Sequence, residues 1–393
     1  MTKPVAVIAT DIAFWNPGYG SHRRIEQICQ AFSKFFTVKV FVFKTITRKI
    51  QAIIDERNYG FEIVSYKPYE KKFRGKLHTK AENIHASLRK WYAHSWHEAF
   101  HHFIEEAGPA VVVTEYLRMQ YLVREISPDI ITILDSHDIV SLRGISFYAF
   151  GENSGAHISL DEEVALMESY TFVLAISQPD YEWLRRFVRP GSAVFLPFMP
   201  LVGDLPSPVG SSTKRLVFAG ANSPANATAL QWFVRSVFPY LPQDITLSVY
   251  GDVGRSVQAS ERLHVHGIVE NVADIYKDFG VAINPVYFGG GLKIKSLEAL
   301  WAGLPLIASA EGARGVEQFA GPGLYIARSR QEFFDHVCEV SQKTYSAETL
   351  ILQRREILEA YQADAECLPF FSTLRQLAKG ASGWIRSRSV LPA

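Results

Sequence analysis

The sequence predicts an α/β protein made of two doubly wound domains that face each other across a cleft. Three observations carry that prediction. Short, continuously apolar, β-branched runs alternate with amphipathic stretches almost from end to end, one Pro-rich interruption divides the alternation in two, and 393 residues suit two large domains better than one. Continuous apolar strands separated by helices mean parallel sheets covered on both faces. In such sheets ligands bind at the carboxyl ends of the strands, and with two halves the default site is the cleft between them.

In the first half, the run VAVIA at 5–9 is bounded by Pro4 and leads through a Gly-containing loop into a helical pattern with Ile25, Ile28, Cys29 and Phe32 on one face. A second strand follows at 38–43, and further apolar runs lie at 110–113, 130–134 and 172–176. Pro197, Pro200, Pro206 and Pro208, then GSST at 210–213, read as a linker. The alternation restarts with strands expected at 216–218, 245–250, 263–266, 281–284, 304–308 and 324–326, and helices at 227–236 and 295–301. The expected units are therefore a first domain over 1–200, a linker over 201–213 and a second domain over 214–375. Trp232 and Trp301 fit amphipathic helix faces and are expected in the core.

Composition excludes several classes. Apolar residues make up 48% and charged residues 21%, so a filled core is expected. With 41 basic and 40 acidic residues the formal net charge is +1, which argues against a nucleic-acid partner held by bulk charge. Cys29, Cys338 and Cys367 lie far apart and form no CxxC, which fits a reducing cytoplasm and excludes a disulfide scaffold. No apolar run approaches the ~18 residues of a membrane span, and the N-terminus lacks a signal pattern. Aromatic content is less ordinary at 13%. Part of it accompanies a basic run: Lys67, Lys71, Lys72, Arg74, Lys76, Lys80, Arg89 and Lys90 stand among Tyr69, Phe73, Trp91, Tyr92, Trp96, Phe100 and Phe103. This stretch, 67–103, reads either as a solvated loop before a core helix or as a contact for an anionic membrane surface.

Three motifs bear chemistry. Gly18, Tyr19 and Gly20 follow the first strand and open the first helix, with Ser21 expected to cap it; glycines admit close approach and the free amides attract anions. The pattern lacks the third glycine and the downstream acid of a dinucleotide fingerprint, which sets aside a nicotinamide dehydrogenase. Asp135, His137 and Asp138 stand just after a buried strand, where a His between two Asp can serve as a base, a metal ligand or a polar-substrate partner. No second His-rich segment with ligand spacing supports a metal, and none is expected.

The strongest motif is NPVYFGGGLKIKSLEALWAGLPLIAS at 284–309. It combines a strand, the loop Gly289, Gly290, Gly291 and Leu292, two lysines at a helix start and an acid one turn in. Cationic side chains with free helix amides make a diphosphate site, and since Lys293 and Lys295 project to different sides, at most one of them is expected to point at the ligand. Glu298, three residues after Lys295 on the same face, is placed to accept hydrogen bonds from a ribose diol.

This segment resembles the donor-binding signature of retaining family-4 glycosyltransferases, whose fold (GT-B) has two facing Rossmann-like domains. It is most similar to the branch whose loop reads Gly-x-Gly-x-(Arg/Lys)-x-Lys-x-x-Glu-Ala. Phe218-Ala-Gly220, Val249-Tyr-Gly251, His266-Gly267 and Ile283-Asn-Pro285 extend the likeness, which is tight over 215–317 and loose before it. The resemblance implies sugar transfer from a UDP- or GDP-linked donor to a glycan or lipid-linked acceptor, without a metal or other cofactor. It implies a cytoplasmic enzyme of polysaccharide or glycoconjugate synthesis, able to rest on the inner membrane face, with residues 376–393 crossing back to the first domain. Glu298 would hold the ribose, Lys295 with Lys293 would neutralise the diphosphate, and the amides of Gly289–Gly291 would face the sugar and phosphates. His137 would lie near the anomeric centre on the acceptor side, with Asp135 and Asp138 beside it. The Gly18–Gly20 loop would close on the diphosphate, Gly220 would line the donor pocket, and the nucleobase would pack near Gly267. Two departures stand out: the family's first Glu is replaced by Gly290, and its Arg and Lys after the second domain's first strand are replaced by Ala221 and Asn222. A noncatalytic binding subunit and a nucleotide-sugar epimerase on the same fold are the alternatives.

Overall fold

A computed structural model describes residues 3–16, 19–70, 77–198, 212–269, 273–276, 280–319, 323–345, 352, 356 and 367–380. Pro17, Gly18, the core of the basic run at 71–76, and 201–211 of the expected linker lie outside the described residues, as does 381–393.

The first sheet has seven parallel strands: β1 (Val5–Thr10), β2 (Thr37–Val42), β3 (Glu62–Ser65), β4 (Val111–Glu115), β5 (Ile131–Asp135), β6 (Phe172–Ala175) and β7 (Ala193–Phe195), in the order β3-β2-β1-β4-β5-β6-β7. The second has six: β8 (Arg215–Ala219), β9 (Thr246–Tyr250), β10 (Leu263–Gly267), β11 (Val281–Asn284), β12 (Leu306–Ser309) and β13 (Leu324–Ala327), in the order β10-β9-β8-β11-β12-β13, also parallel. The strand order reverses at β1/β4 and at β8/β11. Those two points open crevices at the carboxyl edges of the sheets, and every motif above except Gly267 follows a strand at or beside one of them.

Both faces of each sheet are buried, as uninterrupted apolar strands require. In β1, Val7 and Ala9 pack into one core and Ala6 and Ile8 into the other. In β8, Val217 faces one core and Leu216 with Phe218 the other. The helix Gly20–Ser33 buries Ile25, Ile28, Cys29 and Phe32, the apolar face read from the sequence. Its N-cap is Tyr19 rather than Ser21, and no side chain caps it. The two short edge strands β3 and β7 were not anticipated.

The domains touch directly. Phe147 of the first domain packs with Val286, Phe288, Ala225 and Ala229 of the second, its ring 5.0 Å from that of Phe288 at near right angles. Chain return to the first domain, expected from 376, is already in place at Phe370. The helix Cys367–Gly380 sets Phe370, Phe371 and Leu374 into a first-domain core, with Phe371 stacked on Phe35 at 5.2 Å and edge-on to Phe32 at 5.0 Å.

The aromatics beside the basic run point inward. Trp96 stacks on Phe43 at 4.9 Å and Phe103 on Phe41 at 4.8 Å, while Phe100 and Phe103 are fully buried. Trp96, Phe100 and Phe103 form the inner face of the helix His94–Ala107, while Lys67 lies over the Tyr66 ring and Lys90 over the Trp91 ring. Among the described residues no helix is long and apolar enough to cross a membrane.

Candidate active site

Two helix N-termini point into the interdomain cleft. One is that of Gly20–Ser33, and the other is that of Ile294–Trp301; neither has a side-chain cap or an acid in its first turn. Their N-termini therefore offer a positive field to an anion. The helix starts meet closely: a Cβ on Gly20 would lie 2.9 Å from Ile294 Cδ1 and 3.1 Å from its Cβ, so a side chain there would press on Ile294. Tyr19 adds a hydrogen bond across the cleft, its hydroxyl donating to Asp252 at 3.3 Å.

Lys295 sits half-buried at this junction. Its ammonium donates to Asn226 Oδ1 at 2.5 Å and lies 4.3 Å from the centre of the Phe218 ring. Burial pushes the ammonium down to about 7, with Lys293 adding repulsion. Gly220 is beside it: a Cβ there would approach Asn226 and Lys295 Nζ at 3.0 and 3.4 Å. Lys295 and Glu298 thus form no exposed ion pair on the helix surface. Glu298 is 4% exposed and is bound instead by Arg23 of the first domain at 2.6 Å. Burial raises the Glu298 carboxyl above its ordinary range while Arg23 pulls it back.

Lys293 takes a different path. Its ammonium binds Glu311 at 2.7 Å and the carbonyls of Gly290 and Gly291 at 3.2 Å each. It staples the glycine loop from inside and presents no charge to a ligand. Leu292 packs into a second-domain core.

The glycine run proves to be an interdomain contact surface. A Cβ on Gly290 would lie 2.8 Å from Arg143 Cβ, and one on Gly291 would lie 2.6 Å from the His137 carbonyl. Gly291 also has φ +63°, a conformation that costs other residues energy. The Gly289 amide, expected to face the donor, donates to Ser146 Oγ at 2.9 Å. Gly290 and Gly291 are required because the first-domain segment 137–146 lies against this backbone, whereas a Cβ on Gly289 would meet Glu311 and Lys293 of its own domain at 3.4 Å. Gly267, at φ +72°, ends β10 with nothing near its Cβ position.

On the first domain, β4 and β5 deliver Glu115, Asp135 and His137 to one point, their ligating atoms within 4.8 Å of one another. His137 Nε2 is 2.6 Å from Glu115 Oε2 and 3.6 Å from Asp135 Oδ2. Arg24 holds Asp135 with two hydrogen bonds of 2.9 Å, both side chains fully buried. The guanidinium thus occupies the place a cation would take on that carboxylate. Asp135 stays below its ordinary range because Arg24 and His137 outweigh burial. Glu115 is pushed up to about 7 by burial and then by Asp135. The His137 ring stacks on Tyr116 at 3.8 Å, and both residues have positive φ, +60° and +69°. Such strain in non-glycine residues, of order 1–3 kcal/mol each, persists where surroundings dictate it and gathers at functional sites. Asp138 leaves the triad for Arg143 at 2.5 Å.

Sequence reading brought Lys295, Glu298, Tyr19, Gly20, Gly220 and the glycine loop to one cleft, with His137 on its opposite wall. It missed Glu115, which its place at the end of the apolar run VVVTE could have flagged. It also missed Arg23, for which no local signal exists, since its partner is 275 positions away. Neither Asp252, Glu311 nor Arg314 is an unengaged substitute for an acid at 290. Asp252 accepts from Tyr19 and the Asn222 amide, Glu311 binds Lys293, and Arg314 binds Asp180 at 3.2 Å.

Comparison with known proteins bears on the second domain and on the fold. Residues 213–343 match the family model "Glycosyl transferases group 1". The sequence gives no match among curated proteins. Solved structures share the fold across nearly the whole chain. Sucrose-phosphate synthase from Thermosynechococcus elongatus is 17% identical with a TM-score of 0.70, covering 96% of this chain and 100% of its own. S. aureus TarM, in a complex with fondaparinux, alpha-GlcNAc-glycerol and UDP, is 9% identical with a TM-score of 0.73, at 95% and 99% coverage. Anabaena HepE, in complex with UDP and glucose, is 11% identical with a TM-score of 0.61, at 96% and 99% coverage. The chain therefore has the GT-B fold of two facing Rossmann-like domains, and its second domain carries the glycosyl transferases group 1 match.

Proposed function

We propose that the protein is a retaining glycosyltransferase that moves a sugar from a nucleoside diphosphate to a glycan or lipid-linked acceptor. The observation that carries this reading is the uncapped N-terminus of Ile294–Trp301, which places Lys295 and Glu298 one turn apart in the cleft. A UDP- or GDP-linked donor is supported by the UDP and UDP-glucose bound by HepE, and a glycan acceptor by the ligands in the TarM complex. In this reading the diphosphate lies between the two helix N-termini, Lys295 neutralises its departing charge and Glu298 takes the ribose hydroxyls. A nucleoside diphosphate is already a good leaving group, so the main task is electrostatic stabilisation as the glycosidic bond breaks.

Retention through a covalent enzyme intermediate needs a free carboxylate at the anomeric centre. Asp135 is held by Arg24, and Glu115 lies behind His137. That favours a front-face route, with the leaving phosphate oxygen receiving the acceptor proton and His137 lining the acceptor side. No metal is called for in this scheme. The role in polysaccharide synthesis and a station on the cytoplasmic membrane face belong to the same proposal. Lys295→Ala or Glu298→Ala should abolish nucleotide binding and sugar transfer while the fold is kept. Transfer with inversion of anomeric configuration, read by NMR of the product, would refute the retaining assignment.

A noncatalytic nucleotide-sugar-binding subunit is the second reading. The engagement of Glu298 by Arg23 favours it. Donor binding with neither hydrolysis nor transfer would decide for it.

A further inference from the structure

We infer that Arg23 is a donor-binding residue supplied across the cleft: it holds Glu298 when no nucleotide is bound and passes to the diphosphate when the ribose takes Glu298. The inference rests on the donor-site reading above and adds to it a cation from the opposite domain.

The two neighbouring arginines differ in a way that points to Arg23. Arg24 is fully buried and spent on Asp135 and on the Pro197 carbonyl. Arg23, one position earlier, leaves the first domain and reaches 2.6 Å from Glu298 Oε1. It is carried in the first turn of the uncapped helix that faces the uncapped start of Ile294–Trp301. Glu298 in turn lies one turn beyond Lys295. A short swing of a long side chain therefore separates the Glu298 carboxylate from the anion site at that helix start.

Charge balance supplies the need. A nucleoside diphosphate brings several negative charges. Among the described residues of the second domain, Lys293 is neutralised by Glu311 and Arg314 binds Asp180. The positions after β8 are Ala221 and Asn222, without charge. Arg255 lies on the Tyr19 side of the cleft, which leaves Lys295 at the start of Ile294–Trp301, where burial beside Lys293 weakens its hold on a proton. An arginine stays charged at any working pH and matches phosphate geometry with two parallel donors. Arg23 is the group placed to provide that match, and Glu298 keeps it at the site meanwhile. Buried Glu298 then exchanges one set of donors for another, guanidinium N–H for ribose O–H, and is satisfied in both states.

The test is a binding titration of UDP, GDP, uridine and guanosine against wild type, Arg23→Gln and Arg23→Lys. For the diphosphate that wild type binds, Arg23→Gln should lose at least tenfold in affinity and Arg23→Lys should recover part of it. Affinity for the matching nucleoside should be unchanged or improved, because Glu298 no longer has a competitor. Arg23→Gln binding the diphosphate as tightly as wild type, or tighter, overturns the inference and leaves Arg23 a simple latch. An equal loss for nucleoside and diphosphate overturns it too, as the mark of a structural role. If wild type binds neither diphosphate, the donor-site reading fails first and the inference falls with it.

Discussion

Nucleotide binding should take up a proton, because Lys295 must be charged to hold a diphosphate and its ammonium is pushed down to about 7 in the open site. Bound to an anion it should return toward the ordinary lysine value of about 10.4. A group that is protonated in the complex and half-protonated when free makes affinity fall as pH rises above 7. With a free value near 7 the protonated fraction drops from about one half at pH 7 to about 0.03 at pH 8.5, which predicts a roughly fifteenfold weaker complex, or about 1.6 kcal/mol. The terminal phosphate of the ligand titrates near 6 and is fully charged over this window. Glu298, Arg23, Lys293 and Tyr276 face the same region, and of these Arg23 keeps its charge throughout. The assay is isothermal titration of UDP or GDP between pH 7 and 8.5 in two buffers of different ionisation heat. Uptake should be about half a proton at pH 7 and approach one at pH 8, and Lys295→Arg should flatten the profile. A wild-type affinity that is constant over this range, with no proton uptake, would refute the placement of Lys295 at the phosphates.

Other consequences can be measured independently. Lys295→Met should raise the melting temperature of the ligand-free protein at pH 7 while abolishing its response to nucleotide, since it removes a buried ammonium whose ionisation burial opposes; a lower melting temperature would contradict this. Gly291→Ala should leave both domains folded but hold them apart, because its Cβ would meet the His137 carbonyl at 2.6 Å, and small-angle scattering should show a larger radius with turnover reduced. For Glu115, raised to about 7 from an ordinary 4.5, the native state keeps a proton that the unfolded chain gives up. Stability should therefore fall as pH rises from about 4.5 to 7, and Glu115→Gln should remove a part of that slope on the order of 1–3 kcal/mol; identical slopes would contradict the burial of this carboxyl. Phe371→Ala should cost about 3–5 kcal/mol in urea unfolding, as expected for truncating a core phenylalanine, and a cost below 1 kcal/mol would refute the docking of the C-terminal helix.

What the sequence made legible was what is local. Strand-length apolar runs and the helical spacing of Ile25, Ile28, Cys29 and Phe32 are properties of neighbours, so the strands of the second sheet and all but the short edges β3 and β7 of the first could be read in advance. The Lys295 and Glu298 pair was legible for the same reason, as a glycine loop, a cation and an acid lie within ten residues. The partners of that pair were not. Arg23 reaches Glu298 only because the two domains face each other, and Asn226 reaches Lys295 only because β8 and β11 are neighbours in the second sheet. Length of the glycine run was visible, but its cause was not: it answers to the 137–146 segment packed on it rather than to phosphates alone. The aromatic and basic stretch allowed two readings, because an inward-facing helix and a headgroup-facing one have the same aromatic spacing. The stacking of Trp96 on Phe43 and of Phe103 on Phe41 assigns those rings to the core.

The claim on which the rest depends is that a nucleoside diphosphate binds between the helix starts at Gly20 and Ile294. Thermal unfolding of wild type, Lys295→Met and Glu298→Gln against a panel of nucleoside diphosphates and their sugars tests it most directly. At a ligand concentration 100 times the dissociation constant, wild type should gain about 2.7 kcal/mol of stability from at least one uridine or guanosine diphosphate, and both variants should lose that gain. No shift of wild type with any of them, or an undiminished shift in both variants, would contradict the account.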